Sequence, residues 1–587
     1  MEKKDLQILV GGIAGSGSLT AGTVLGRVFT RMGYYTIGVN EYPSIIRGGH
    51  TAYWVRSSTE PVYELEDIND LVIAMDDATI KSHSWEIGED TIIIYDPGQV
   101  KTRPSKGIIF ETPLRELIRK YKLSPLSMNI VAAGVAAALL GIPMDYLYQA
   151  VEDQFKASRK LIDINKRAAT IGYEYASTKP ISFDPPRLAD PRPWGERIYI
   201  TGNEAITLGM VKAGVRFYAA YPMTPASSIL HYMINISRDK DIIVVQAESE
   251  IAAAQMVVGA TWTGLRAATG TSGGGFALMN ETLSMAGMIE APMVIILAQR
   301  AGPSTGMATM HAQEDLLYSI FAGHGEFPRI VVAPGNQEEI FYRTIEVFNL
   351  AEKYRTPAII LLDKYLSESH RSVNAFPEDV VIERGPLLSR KEAEENIRAG
   401  WEFKPYERTG TGVSPWVPPG TRGAFVKSDG NEHDEYGYVS IDPSNATAMY
   451  YKRLRKTRYI LSEIEEKYSP VKRFGDRPED SDIVILTWGS ATLSMLEARK
   501  HLVRQGLKIS IIQVVYMAPF PVNKFMEVIR GGLDKEIITV EYNATGQLGR
   551  LVSLETGVKP RKHIGKVDGR PFRARLLARE ILNKISR

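Results

Sequence analysis

The chain has 587 residues, too many for one hydrophobic core, and its composition is that of a globular protein, 44% hydrophobic and 24% charged. Lysine and arginine total 70 against 68 acidic residues, so no global charge draws it to nucleic acid or to an anionic membrane. It contains no cysteine, which excludes disulfides, a thiolate nucleophile and a cysteine-held iron–sulfur cluster on this chain, and fits a cytoplasmic protein.

The start, Met1–Asp5 followed by Leu6–Val10, carries two acids and runs into Gly11-Gly12, which argues for a first strand and against a signal peptide. The pattern predicts a strand at Leu6–Val10, a glycine turn and a helix near Leu19–Met32. Further strands follow at Tyr35–Val39, Thr51–Arg56, Asp70–Ala74 and Thr91–Tyr95. Alternating strands and helices imply an α/β layer with parallel pairs. The turn Gly11–Gly17 lacks the third small residue of a dinucleotide fingerprint, because Thr20 stands in its place. The apolar stretch Met128–Met144 is shorter than the ~20 residues of a spanning helix and reads as a buried one. The proline-rich run from Lys179 through Pro193 reads as an extended linker.

The second block repeats the alternation. Strands are expected at Val215–Ala220, Ile242–Gln246, Leu265–Thr269, Met293–Ala298 and Ala358–Leu362. Helices are expected at Ser227–Ile236, Glu250–Trp262, Asn280–Ile289 and Glu338–Tyr354. Residues 399–443 have no periodicity, a loop length that suggests function or a partner. A charged helix near Ala446–Tyr468 follows, then a third α/β unit with strands at Ile483–Trp488, Lys508–Tyr516 and Glu536–Glu541.

Ligands of open α/β sheets bind beyond the carboxyl ends of the strands. In the second block those ends deliver, in turn, Tyr221-Pro222-Met223-Thr224-Pro225, then Glu248 to Glu250, then Gly270 to Gly275, then Gln299-Arg300. Four polar or glycine-rich turns in succession point to an anionic small molecule. Each has a plainer reading. Ser227 or Ser228 could simply cap a helix; Glu250 could serve only the helix macrodipole; Arg300 could form a surface ion pair, although its fork suits a carboxylate; the glycines at 273–275 could make a turn or admit a close approach. Gly270-Thr271-Ser272-Gly273-Gly274 formally fits a hydrolase nucleophile elbow, with His311, His324, His370 or His433 as its base. His433-Asp434-Glu435 reads as solvated charge or as metal ligands.

Taken together these segments resemble the 2-oxoacid:ferredoxin oxidoreductase family. The similarity is carried by Tyr221–Pro225, Gln299–Gly306, Gly323–Arg329 and Gly430–Gly437, by Glu41–His50 near the start and by Glu541–Leu548 near the end. Their order is that of a fused gamma–alpha subunit. The resemblance implies three α/β domains: a gamma-type domain at 1–178, a linker at 179–194, a thiamine-diphosphate pyrimidine-type domain at 195–368, a connecting segment with a charged helix at 369–480, and a transketolase-C-like domain at 481–587. It implies coenzyme A-dependent oxidative decarboxylation of a 2-oxoacid (2-oxoglutarate, pyruvate or a branched-chain acid) on thiamine diphosphate, with electrons passed to ferredoxin. Glu250 would bond N1′ of the aminopyrimidine, Thr224 and Arg300 would hold the substrate, and Tyr221, Pro222, Thr271 and Ser272 would contact the cofactor. A Gly-Asp-Gly segment with paired asparagines is missing, since Gly475-Asp476 runs into Arg477. Mg²⁺ and the iron–sulfur cluster are therefore expected on a beta subunit, in a heterodimer or a dimer of heterodimers. A non-catalytic scaffold and a serine hydrolase using Ser272 are the competing readings.

Overall fold

The computed structural model describes residues 2–44, 48–191 and 195–585. Ile45, Ile46 and Arg47 of the segment 41–50, and Arg192, Pro193 and Trp194 at the end of the linker, lie outside the described residues. The chain forms two compact units. The first comprises the residues up to Thr201 with Glu368–Phe376 and Arg573–Arg579; the second comprises Gly202–Ser367, Pro377–Phe572 and the chain's end from Glu580.

The first unit is built on an eight-stranded sheet. Its strand order is Ile108–Glu111, Ile87–Tyr95, Asn69–Ala74, Asp5–Ile13, His50–Ser58, Tyr35–Glu41, His370–Asn374, Arg197–Thr201. The expectation of parallel pairs holds on one half only. Asp5–Ile13 is parallel to Asn69–Ala74 but antiparallel to His50–Ser58, and Tyr35–Glu41 is antiparallel to His50–Ser58 as well. The cause is connection length: the short link from Glu41 to His50 can join antiparallel neighbours, whereas a parallel pair needs a crossover of about a dozen residues or more. Two strands go unread in the sequence, Arg197–Thr201 and His370–Asn374. They pair with each other, and His370–Asn374 also pairs with Tyr35–Glu41.

The apolar stretch from Met128 is buried, but it is not one helix. Met128–Leu139 stops before Gly141 (φ 68°) and Pro143, and Met144–Phe155 begins anew. Met128–Leu139 packs on Arg159–Thr178 at backbone range. A methyl group on Gly134 would lie 2.2 Å from the Ala169 carbonyl oxygen, and one on Gly172 would lie 1.9 Å from that of Val131. Part of the linker does pair, since Arg187–Leu188 runs parallel to Glu2–Lys3.

The second unit holds two sheets. The larger has the order Ile243–Gln246, Val215–Ala220, Arg266–Thr271, Val294–Gln299, Ala358–Asp363, Ile330–Val332, Tyr516–Ala518, and only the last strand is antiparallel. Its central strands are buried on both faces, as in Val294–Gln299, which is why they read as apolar runs. The smaller sheet has the order Val471–Gly475, Ile509–Val514, Ile483–Thr487, Glu536–Glu541, Lys562–Gly565. The expected single strand Lys508–Tyr516 divides: Ile509–Val514 stays in the smaller sheet, while Tyr516–Ala518 joins the larger. One apolar core runs through both sheets, with Ile295 and Leu361 in the same cluster as Leu486 and Trp488.

Residues 399–443 pack at the amino-terminal edge of the larger sheet. Arg355, which precedes the strand Ala358–Asp363, donates to the Pro405 carbonyl at 2.9 Å. The charged helix, Pro443–Lys467, is not a solvated rod. Lys452 and Lys456 are fully buried, and both bond Glu290, in the turn before Val294–Gln299. Among the described residues no helix is long and apolar enough to cross a membrane.

Candidate active site

The four turns singled out by the sequence follow four adjacent strands, so they meet at the carboxyl edge of the larger sheet. Glu250 is the first residue of the helix Glu250–Trp262. Ser249 caps that helix, its hydroxyl accepting from the Ala252 N–H at 3.2 Å. The Glu250 side chain is buried, and its Oε1 is shielded from solvent without a hydrogen-bond partner among the described residues. Burying a carboxylate without donors costs several kcal/mol. A helix N-terminus returns about 0.3–1 kcal/mol, at most about 2. The macrodipole alone therefore does not account for Glu250; the carboxylate is held for a donor that this chain does not supply.

The glycine run is a short helix rather than a loop. Gly273–Leu278 opens directly after Ser272, and the Phe276 N–H bonds the Ser272 carbonyl at 2.9 Å. Gly275 faces the acid: a methyl group there would sit 2.8 Å from Glu250 Oε1 and 2.1 Å from Thr271 Oγ1. Gly274 is exposed, and a methyl group on it would meet nothing within 4 Å. The buried Thr271 hydroxyl lies 3.9 Å from Met223 Sδ, which ties this helix to the Tyr221–Pro225 turn. Tyr221 is partly exposed on that turn, and Pro222 and Thr224 are half-buried.

Arg300 closes the cluster by donating from Nη1 to the Thr224 carbonyl at 2.9 Å. It has no carboxylate partner among the described residues, so it is not a surface ion pair. Burial pushes its pKa below the ordinary guanidinium value. Asn203 braces the turn, donating to the Pro225 carbonyl at 2.8 Å and to Ser228 Oγ at 2.7 Å. The capping alternative fails, because Ala226 stands at the cap of Ser227–Ser237 with no side-chain bond. Thr224, Glu250 and Arg300 thus share one rim, linked through Met223 and Thr271.

The hydrolase reading does not form. Ser272 Oγ is buried with no hydrogen-bond partner, so no histidine activates it. His311 bonds Ser490 Oγ at 3.2 Å and lies 3.7 Å from Asp363, and all three residues are at most 3% exposed, which seals this Ser–His–Asp set from any substrate. Burial lowers the His311 pKa to about 4. His433 is buried and bonds the Asn431 carbonyl, while Glu435 pairs with Arg408, so His433-Asp434-Glu435 neither converges on a metal nor forms a solvated run.

Sequence reasoning missed Asp315. Its carboxylate lies beside the other end of the glycine run, 2.7 Å from where a Gly273 methyl would sit. Burial, and then the Glu314 charge, raise its pKa to about 6. Asn280 was missed too; its Nδ2 donates to Tyr318 Oη at 2.8 Å, and its Oδ1 is shielded without a partner. Nothing local marks Asp315, which sits in an acidic pair after a histidine, a common surface pattern.

Comparison with known proteins accords with this geometry. Residues 208–452 match the family model for pyruvate flavodoxin/ferredoxin oxidoreductase, thiamine diP-bdg, and residues 7–175 match that for pyruvate ferredoxin/flavodoxin oxidoreductase. The chain is 33% identical to the alpha subunit of 2-oxoacid:ferredoxin oxidoreductase 2 of Aeropyrum pernix, over 97% of this chain and 96% of that one. It is 30% identical to the 2-oxoglutarate synthase subunit KorA of Methanothermobacter thermautotrophicus, over 66% of this chain and 98% of that one. The solved 2-oxoglutarate:ferredoxin oxidoreductase of Magnetococcus marinus, with 2-oxoglutarate, coenzyme A and succinyl-CoA bound, superposes with a TM-score of 0.88 at 31% identity, covering 100% of both chains.

Proposed function

Since this chain belongs to the 2-oxoacid:ferredoxin oxidoreductase alpha subunits, we propose that it builds half of a shared active site, which converts a 2-oxoacid and coenzyme A to an acyl-CoA and CO₂ and passes the electrons to ferredoxin. The other half belongs to a beta subunit in the same cytoplasmic complex. The observation that carries this reading is the buried Glu250 carboxylate, kept without a donor beside a glycine helix. It suits the protonated ring nitrogen of an aminopyrimidine, so the chain's residues fit the pyrimidine end of thiamine diphosphate. Thiamine diphosphate, when bound, supplies the carbon nucleophile and the electron sink.

The remaining work falls to this chain's side chains. Glu250 accepts the hydrogen bond that fixes the pyrimidine's protonation state. Tyr221, Pro222, Thr271 and Ser272 shape the wall around it, and Gly274 leaves room for a close approach from outside. Arg300 directs its guanidinium to the substrate carboxylate, and Thr224 offers its hydroxyl to the 2-oxo group. Holding both groups of the substrate converts an encounter into an oriented attack. The cysteine-free sequence leaves the iron–sulfur cluster, and with it the Mg²⁺–diphosphate arm, to the beta subunit. A scaffolding chain would have no use for a shielded carboxylate kept without a donor.

Co-expression with the beta subunit and an oxoacid panel test this reading. Methyl viologen reduction that needs coenzyme A, thiamine diphosphate and both subunits is the expected result. Absence of reduction with 2-oxoglutarate, pyruvate and branched-chain oxoacids alike would refute it, as would ester cleavage by this chain alone that is lost in Ser272→Ala.

A further inference from the structure

At the amino-terminal edge of the larger sheet, the outer face of the helix Pro443–Lys467 borders a groove of about 740 Å³. Ser444, Thr447, Tyr451, Arg455 and Arg458 line it, at the three- and four-residue steps that put side chains on one helix face, and Arg408 adds a third guanidinium. No carboxylate among the described residues lines the groove. The nearby acids are already engaged. Glu435 pairs with Arg408 at 3.0 Å, and Asp442 accepts from Ser444 Oγ at 2.5 Å and from the Asn445 N–H at 2.7 Å.

Arg455 and Arg458 meet only neutral acceptors. Arg455 donates to the Thr409 carbonyl at 3.2 Å and Arg458 to Tyr459 Oη at 2.7 Å. Like charges one turn apart repel, and in the middle of a 25-residue helix the macrodipole does not compensate them. Helix formation therefore gains nothing from placing both arginines there. One turn before them Tyr451 is 63% exposed, presenting a flat ring on the same stripe. Guanidinium forks match phosphate oxygens, an aromatic face takes a planar heterocycle, and the volume is that of a small-molecule site.

We propose that this groove binds a nucleotide carrying a diphosphate, with Arg455 and Arg458 on the phosphates and the base laid on Tyr451. It is distinct from the Glu250 rim at the opposite edge of the sheet and does not depend on the reaction assigned there. A free nucleoside diphosphate and the nucleotide end of coenzyme A share the required chemistry.

Titration calorimetry on the assembled complex with ADP, inorganic pyrophosphate and adenosine tests the proposal. ADP should bind, and its Kd should weaken by about tenfold or more in Arg455→Gln/Arg458→Gln. Tyr451→Ala should weaken ADP but not pyrophosphate, and adenosine alone should not bind. Arg455→Lys/Arg458→Lys, which keeps the charge and removes the forks, should fall between wild type and the glutamine pair. Circular dichroism verifies that each variant is folded. A raised KM for coenzyme A in the glutamine pair would identify the coenzyme's own nucleotide as the occupant, and an unchanged KM a separate effector; both support the groove. ADP affinity equal in wild type and the glutamine pair would place the nucleotide elsewhere and overturn the proposal, as would absence of ADP binding at millimolar concentration. Binding is read without turnover, so an inactive wild-type complex would count against the proposed reaction and leave this result standing.

Discussion

Replacing Gly275 by alanine tests whether the glycine run exists to position Glu250. The new methyl would lie 2.1 Å from Thr271 Oγ1 and 2.8 Å from the Glu250 carboxylate. Ordinary contact distances then require Thr271 to give way by about 1 Å and Glu250 by about half that. Overpacking of this kind costs about 1–3 kcal/mol, and alanine returns up to about 1 kcal/mol of helix propensity. The variant should therefore fold, somewhat less stably than wild type. A displacement of about 1 Å at a reacting centre lowers turnover by about a hundredfold. Gly274→Ala is the matched control: it gains the same propensity and meets nothing within 4 Å, so it should melt slightly higher. Thermal melts and methyl viologen reduction by the assembled complex read both quantities. Turnover of Gly275→Ala within about threefold of wild type would refute the reasoning, because the carboxylate would then tolerate a shift much larger than a positioned base allows.

Other outcomes follow from the same structure. Arg300→Lys keeps the charge and loses the fork, so kcat/KM for the oxoacid should drop about 10–100-fold while the melting temperature stays near wild type. Glu290→Gln leaves Lys452, Lys456 and Arg355 buried without their carboxylate; it should destabilise the chain by about 3–5 kcal/mol in denaturant titration and speed amide exchange in Pro443–Lys467. His311 has a folded pKa of about 4, below its unfolded value. The unfolded chain thus binds the extra proton first, and stability present above about pH 6.5 is lost as pH falls toward about 4, by about 3 kcal/mol at most. His311→Gln should remove that component from the difference in urea midpoint between pH 7 and pH 4.5.

Much of the architecture was legible because buried parallel strands are apolar runs and their helices begin and end on clear signals. Val215–Ala220, Glu250–Trp262 and Glu536–Glu541 have the bounds the pattern suggests. What stayed hidden depends on distant neighbours. His370–Asn374 carries too much polarity to read as a strand, yet two strands from earlier in the chain pair with it. Lys508–Tyr516 is one apolar run, but the two sheets compete for it. Gly273–Gly275 reads as a turn because glycine is a poor helix former, and only the close approach of Glu250, Thr271 and Asp315 explains it. Lys452 and Lys456 look like solvated charges until Glu290, more than 160 residues away, is placed between them. The rim residues could be named from the sequence; their convergence, and the absence of any donor for Glu250, could not.

Glu250→Gln, measured as oxoacid-dependent methyl viologen reduction by the assembled complex, bears most directly on the account. The amide keeps the size and removes the negative acceptor, so kcat should drop by about 10²–10⁴-fold while the two subunits still co-purify. Turnover within about threefold of wild type would contradict it, since no proton-handling role could then be assigned to that carboxylate.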